Sequence, residues 1–187
     1  MATQVNGQQK LLVPQYDTYD HWREFCLTHG VNVDWKFGNQ CWDVCCLLWI
    51  QYGLWLYTGN GYAYGCYAIE RNRNAKFPFS KVERKVDIKR GDCLVFWPSG
   101  LNYSGHICFA DEDYNGTDRL KCLGQNQGQG VGYGTPSNIA PLNLRNFCGG
   151  FRNANWRVAP PPPPPKHKPI DSRFPWVVYA RKLRNSR

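Results

Sequence analysis

Residues 38–53 read GNQCWDVCCLLWIQYG. A small polar turn opens onto a run that is apolar nearly all round. It is shorter than the ~20 residues needed to cross a bilayer, so it predicts a helix buried in a core and broken near Gly53. Cys41 falls in the first turn of this helix, and Cys45 and Cys46 lie inside it. A helix N-terminus offers unsatisfied N–H groups and a positive dipole end that favour a thiolate, whereas apolar burial raises a thiol's pKa and keeps it inert. Most cysteines are simply buried thiols, but the polar turn in front of Cys41 marks it out as a candidate nucleophile.

On the N-terminal side, DTYDHWREFCLTHG (17–30) places Tyr19, Trp22, Phe25 and Cys26 at helical spacing. Asp17 or Thr18 serves as N-cap and Gly30 as the stop, which predicts an amphipathic helix. Residues 59–92 are rich in Gly, Asn and Arg and read as loop with at most a short helix, ending in the turn IKRGD. Beyond it the texture changes to short apolar runs between turn residues, CLVFW, HICFA, LKCLGQN and then GGFRNANWRV, which predict antiparallel strands. Helices first and strands afterwards predict an α+β domain over 1–158. Six consecutive prolines in APPPPPPKHKP make 159–169 a stiff spacer, and 170–187 a short basic tail too small to fold alone.

The chain has 187 residues, enough for one domain with a core, and carries a formal charge of +9. That charge implies an anionic partner, with nucleic acid, an acidic membrane and a polyanionic cell wall as the choices. The first 15 residues show no basic start followed by an apolar core, so a soluble product made inside the cell is expected. Nine cysteines are an odd number without a secretory signal, and reduced, buried thiols are expected for most. No Cys-x-x-Cys or His-x-x-x-His pair offers the usual local zinc spacing.

A thiolate nucleophile needs a proton-accepting partner, and there are four histidines. His21 and His29 belong to the first helix and its end, and His167 to the linker. His106, in SGHICFA, starts a strand, and period-two alternation sets it on the face opposite Ile107 and Phe109. The next strand ends in LGQNQ, where Gln125, Asn126 or Gln127 offers an amide to hold the imidazole tautomer.

In this order, FGNQCWDV, IKRGDCLVFW, SGHICFA and CLGQNQ resemble the CHAP domain (cysteine, histidine-dependent amidohydrolase/peptidase) of bacteriophage lysins. The resemblance extends over roughly residues 16–158. It implies a papain-like α+β fold and cleavage of an amide bond in peptidoglycan, by an endopeptidase or an N-acetylmuramoyl-L-alanine amidase. Cys41 would be the nucleophile and His106 the base, with Asn126 as orienting amide. Gln40 falls where the family's motif has it, and the backbone N–H groups of Cys41 and Gln40 are the expected oxyanion donors. Many lysin relatives carry glutamate where this chain has Gly124, so that carboxylate is missing here. Several also bind calcium just before the cysteine, and NVDWKFGNQCWD aligns with that loop at Asn32, Asp34 and Asp43, hard oxygen ligands that suit Ca²⁺.

The expected partners are therefore peptidoglycan and anionic wall polymers, with no specific nucleic acid and no membrane, for a monomer. An endolysin would wait in the host cytoplasm until released to the wall through a holin. A virion- or tail-associated lysin acting during DNA entry is the alternative, and a basic nucleic-acid-binding protein is the reading from another class.

Overall fold

The computed structural model describes residues 16–34, 36–74, 78–100, 102–128 and 135–156. The polyproline spacer and the basic tail lie outside these. Helix α1 (Tyr19–Thr28) starts where the Thr18 hydroxyl accepts the His21 N–H at 3.2 Å, and buries Tyr19, Trp22 and Cys26 on one stripe. Helix α2 (Cys41–Ile50) buries eight of its ten residues, as its all-round apolar sequence requires. Two single-turn helices follow, α3 (Gly65–Ala68) and α4 (Glu70–Arg73).

Six strands form one antiparallel sheet: β1 (Phe79–Val82), β2 (Cys93–Phe96), β3 (His106–Ala110), β4 (Arg119–Gly124), β5 (Asn138–Asn143) and β6 (Phe147–Asn153). Their spatial order is β1-β6-β2-β3-β4-β5. The four strands expected from sequence are the four inner ones. β1 lies in a stretch expected to be loop and β5 in one assigned to no element, and these two are the edges.

The sheet is apolar on both faces. Val95, Ile107, Phe109 and Leu123 share a core with α1 and α2. Leu94, Phe96, Cys108, Ala110 and Cys122 form a second cluster closed by Ile88 and Leu144. Trp49 of α2 stacks flat on Phe79 of β1 with ring centroids 3.7 Å apart, tying the helix to an edge strand. α2 also packs over β3, so the first residue of the helix comes against the first residue of the strand. Arg152 of β6 grips the buried Asp92 beside β2 with two bonds of 2.8 and 2.7 Å. All nine cysteines are free thiols. No described helix is long and apolar enough to cross a membrane.

Candidate active site

Cys41 opens α2 after a turn in which Phe37 and Gly38 both take left-handed backbone, with φ of 59° and 74°. Phe37 is 81% exposed, so no packing rewards this conformation. What fixes the turn is a set of hydrogen bonds. Asp43 accepts the Gln40 N–H at 2.8 Å and the Val33 N–H at 2.7 Å, and the Gln40 side-chain Nε2 donates to the Phe37 carbonyl. The turn is thus closed from both sides, and the thiol is presented at the helix N-terminus.

The Cys41 thiol meets the imidazole of His106 in a hydrogen bond and also takes the Ile107 backbone N–H. Burial alone would raise the pKa of this thiol. The His106 charge, its hydrogen bond and the Ile107 N–H outweigh burial, and the pKa falls below the ordinary cysteine value. For His106 burial acts downward, while the Cys41 charge and hydrogen bond, with the Gln127 bond, carry the pKa above the ordinary value. Both shifts run in the direction that favours a thiolate–imidazolium pair. Cys45 and Cys46 behave otherwise: burial pushes the first far up and the second to about 12.

Of the three amides after β4, two turn to the loop before Cys41 and one to His106, because Asn126 adopts a left-handed φ of 54° that splays its neighbours apart. Gln125 is buried, accepts the Val31 N–H at 2.6 Å and donates to the carbonyls of Val31 and Gln40 at 2.8 and 2.9 Å. Asn126 donates to the Gln40 Oε1 at 3.2 Å. The amide on His106 is that of Gln127, whose Oε1 lies 3.0 Å from Nε2. The amide against His106 is therefore one residue later than the Asn126 expected. Gln40 also differs from expectation. Its backbone N–H is held by Asp43, so of the two backbone donors expected to face an oxyanion the Cys41 N–H, first in the helix, is the one left open.

Beside His106 a cleft of about 280 Å³ is lined by Phe96, Trp97, Asn102, Asn126, Gln127 and Asn146. Trp97 is 47% exposed, and Tyr64 leans on it at 5.6 Å with Tyr62 stacked beyond at 5.9 Å. Gly105 makes this wall, since a Cβ there would strike the Phe96 carbonyl and Tyr64. The tyrosines belong to the stretch expected to be loop, so sequence gave no signal for them beyond their number. Of the other tryptophans, Trp49 is fully buried and Trp55 is 42% exposed.

Of the residues aligned with a calcium loop, Asn32 is buried, Asp34 accepts the Lys36 N–H at 2.8 Å, and Asp43 is buried behind it. Burial raises the Asp43 pKa to about 7 against the pull of the Val33 and Gln40 N–H groups, and the charge of Asp34 adds to the rise. A buried carboxylate with a second carboxylate close by offers the oxygen ligands that suit a hard cation. Among the described residues no three of His, Cys, Asp and Glu gather as a metal set. An ion here would therefore take its remaining ligands from amide and backbone oxygens.

No protein-family model matches this sequence, and no curated protein matches it either. A solved structure does. The chain superimposes on the wild-type endolysin LysIME-EF1 with a TM-score of 0.57 over 74% of its length, at 19% identity. The two chains share a fold. The chain spans less than two thirds of that protein, 65% of its length.

Proposed function

We propose that this protein is a peptidoglycan hydrolase of the CHAP type, a phage endolysin that cuts an amide bond of the Gram-positive wall by Cys-His catalysis. The observation that carries the reading is the pairing of Cys41 with His106, with pKa values pulled toward each other at a helix N-terminus. The endolysin fold and the ordered motifs support the substrate.

In the reaction the Cys41 thiolate attacks the amide carbon, and the carbonyl oxygen becomes an oxyanion facing the Cys41 N–H at the positive end of α2. The His106 imidazolium gives its proton to the departing amine as the C–N bond breaks, which leaves a thioester on Cys41. Neutral His106 then takes a proton from water, the hydroxide attacks the thioester carbon, and the acid product leaves with Cys41 restored as thiolate beside imidazolium. The cleft walled by Trp97 and Tyr64 takes the peptide or sugar next to the cut bond. Calcium belongs to the same reading: Asn32, Asp34 and Asp43 would hold it, and it would supply charge balance and rigidity to the loop before Cys41, with no part in proton transfer. The basic chain is drawn to the anionic wall after release from the host cytoplasm.

The test is clearing of Gram-positive cell walls by purified protein, with mass spectrometry of the muropeptides to read the bond cut. Cys41→Ala and His106→Ala should both be inert, and a Cys41→Ala protein that clears walls at the wild-type rate would end the proposal.

A further inference from the structure

We propose that Gln127 is the positioning residue for His106, and that Gly124 is what allows it to be, the two forming one device that sets the imidazole from the second face of the sheet. The inference rests on the reading of Cys41 and His106 as the reacting pair.

The identity of the atom facing the imidazole is fixed by its surroundings. The Gln127 Nε2 is ringed by three acceptors: the Cys122 carbonyl at 3.2 Å, the Asn138 carbonyl at 3.1 Å and the Asn138 Oδ1 at 3.1 Å. An amide flipped end for end would set its oxygen against three oxygens, so Oε1 must be the atom pointing at His106. An acceptor at 3.0 Å from Nε2 requires the proton there. The neutral imidazole is then held as the tautomer that leaves Nδ1 free to exchange a proton with the thiol. Asn138 returns a bond from Nδ2 to the Gln127 carbonyl at 3.2 Å, so the positioning residue is clamped from the start of β5.

Gly124 completes the device. Its backbone is ordinary, yet a Cβ would lie 3.0 Å from both Cδ and Oε1 of Gln127 and 2.9 Å from the Cys108 Cβ. The Gln127 amide therefore occupies the space that a side chain at 124 would fill. A small residue at 124 and a long amide at 127 are a matched pair, and changing either displaces the acceptor from His106.

The experiment follows carboxymethylation of Cys41 in the full chain against pH, read by peptide mass spectrometry, beside the rate of wall clearing. The first readout reports the thiolate–imidazolium pair without any substrate. Gln127→Leu should lower Cys41 reactivity near pH 6, move its profile toward that of a simple thiol, and reduce kcat by about 10- to 100-fold with little change in KM. Gln127→Glu should restore the reactivity and extend its plateau to higher pH, since a carboxylate favours the imidazolium. Gly124→Ala should shift the profile in the direction of Gln127→Leu; if it fails to fold, the two variants at 127 still decide. A folded Gln127→Leu protein with the wild-type profile overturns the proposal even if clearing falls, because a purely structural loss would leave the thiol's titration in place. A wild-type protein whose profile responds as described but which clears no walls removes the peptidoglycan reading and leaves this one standing.

Discussion

Asp43 reaches back across the first turn of α2 to accept the Gln40 N–H at 2.8 Å, while its other oxygen takes the Val33 N–H at 2.7 Å. One buried carboxylate thus fixes both the loop before the nucleophile and the start of the helix that carries it. Removing it leaves two backbone donors without an acceptor, and Asp43→Ala should cost about 1–3 kcal/mol in denaturant unfolding.

The same group makes stability depend on pH. Its folded pKa is raised to about 7, mainly by burial and further by Asp34, so the folded state holds a proton that the unfolded chain has released. The contribution is fully present below the unfolded carboxylate pKa and is lost as pH rises through about 7. Melting temperatures measured from pH 4 to pH 8 should include this decline in the wild type. Asp43→Asn should flatten it, and an unchanged slope would show that Asp43 titrates normally.

Calcium should act on this residue in competition with protons. Saturating Ca²⁺ at about 100 times its Kd should stabilise the fold by about 2.7 kcal/mol, and a chelator should reverse the effect. Apparent affinity should fall as pH drops below about 7, where Asp43 takes up its proton. Asp34→Ala should abolish the calcium response in a thermal melt without calcium-independent loss of fold.

Hydrolysis should follow a window set by two groups. With the Cys41 pKa lowered and the His106 pKa raised, the thiolate–imidazolium form exists above the first and below the second. The kcat/KM profile should therefore rise with an apparent pKa below that of a free thiol and fall with one above that of a free imidazole. These values belong to the pair and not to either residue alone. Replacing Cys45, which lies fully buried with its thiol pushed far up, should leave the profile in place.

The Asp92–Arg152 clamp joins β6 to the turn before β2, and Asp92 also accepts the Lys89 N–H at 2.7 Å. Asp92 is buried while the Arg152 side chain is 40% exposed, so water can recover the arginine when the pair is broken. Asp92→Ala should then cost about 2–3 kcal/mol, below the full penalty of a wholly buried pair. Chemical denaturation reads the loss directly.

How much of this was legible in the chain depended on burial. β2, β3, β4 and β6 are paired on both sides and read as apolar runs. β1 and β5 are edges with half-exposed side chains, and β5 carries Pro141, a residue an edge strand tolerates and an inner one does not. Neither has the pattern that identifies a strand. At the site, Cys41 and His106 were legible because each begins a strongly patterned element. The choice among Gln125, Asn126 and Gln127 was not, since it turns on the backbone at Asn126, whose left-handed φ no alternation rule foretells.

Gln125 bonds Val31 and Gln40 at sequence separations of 94 and 85 residues, so the end of β4 is sewn to the loop that precedes the nucleophile. Synthesis from the N-terminus delivers the thiol first, then the imidazole, and only later this seam. A chain that ends before Gln125 therefore carries the cysteine without the bonds that fix the loop in front of it. The loop that presents Cys41 is complete only when the sheet is, because its far anchor is the residue that follows β4.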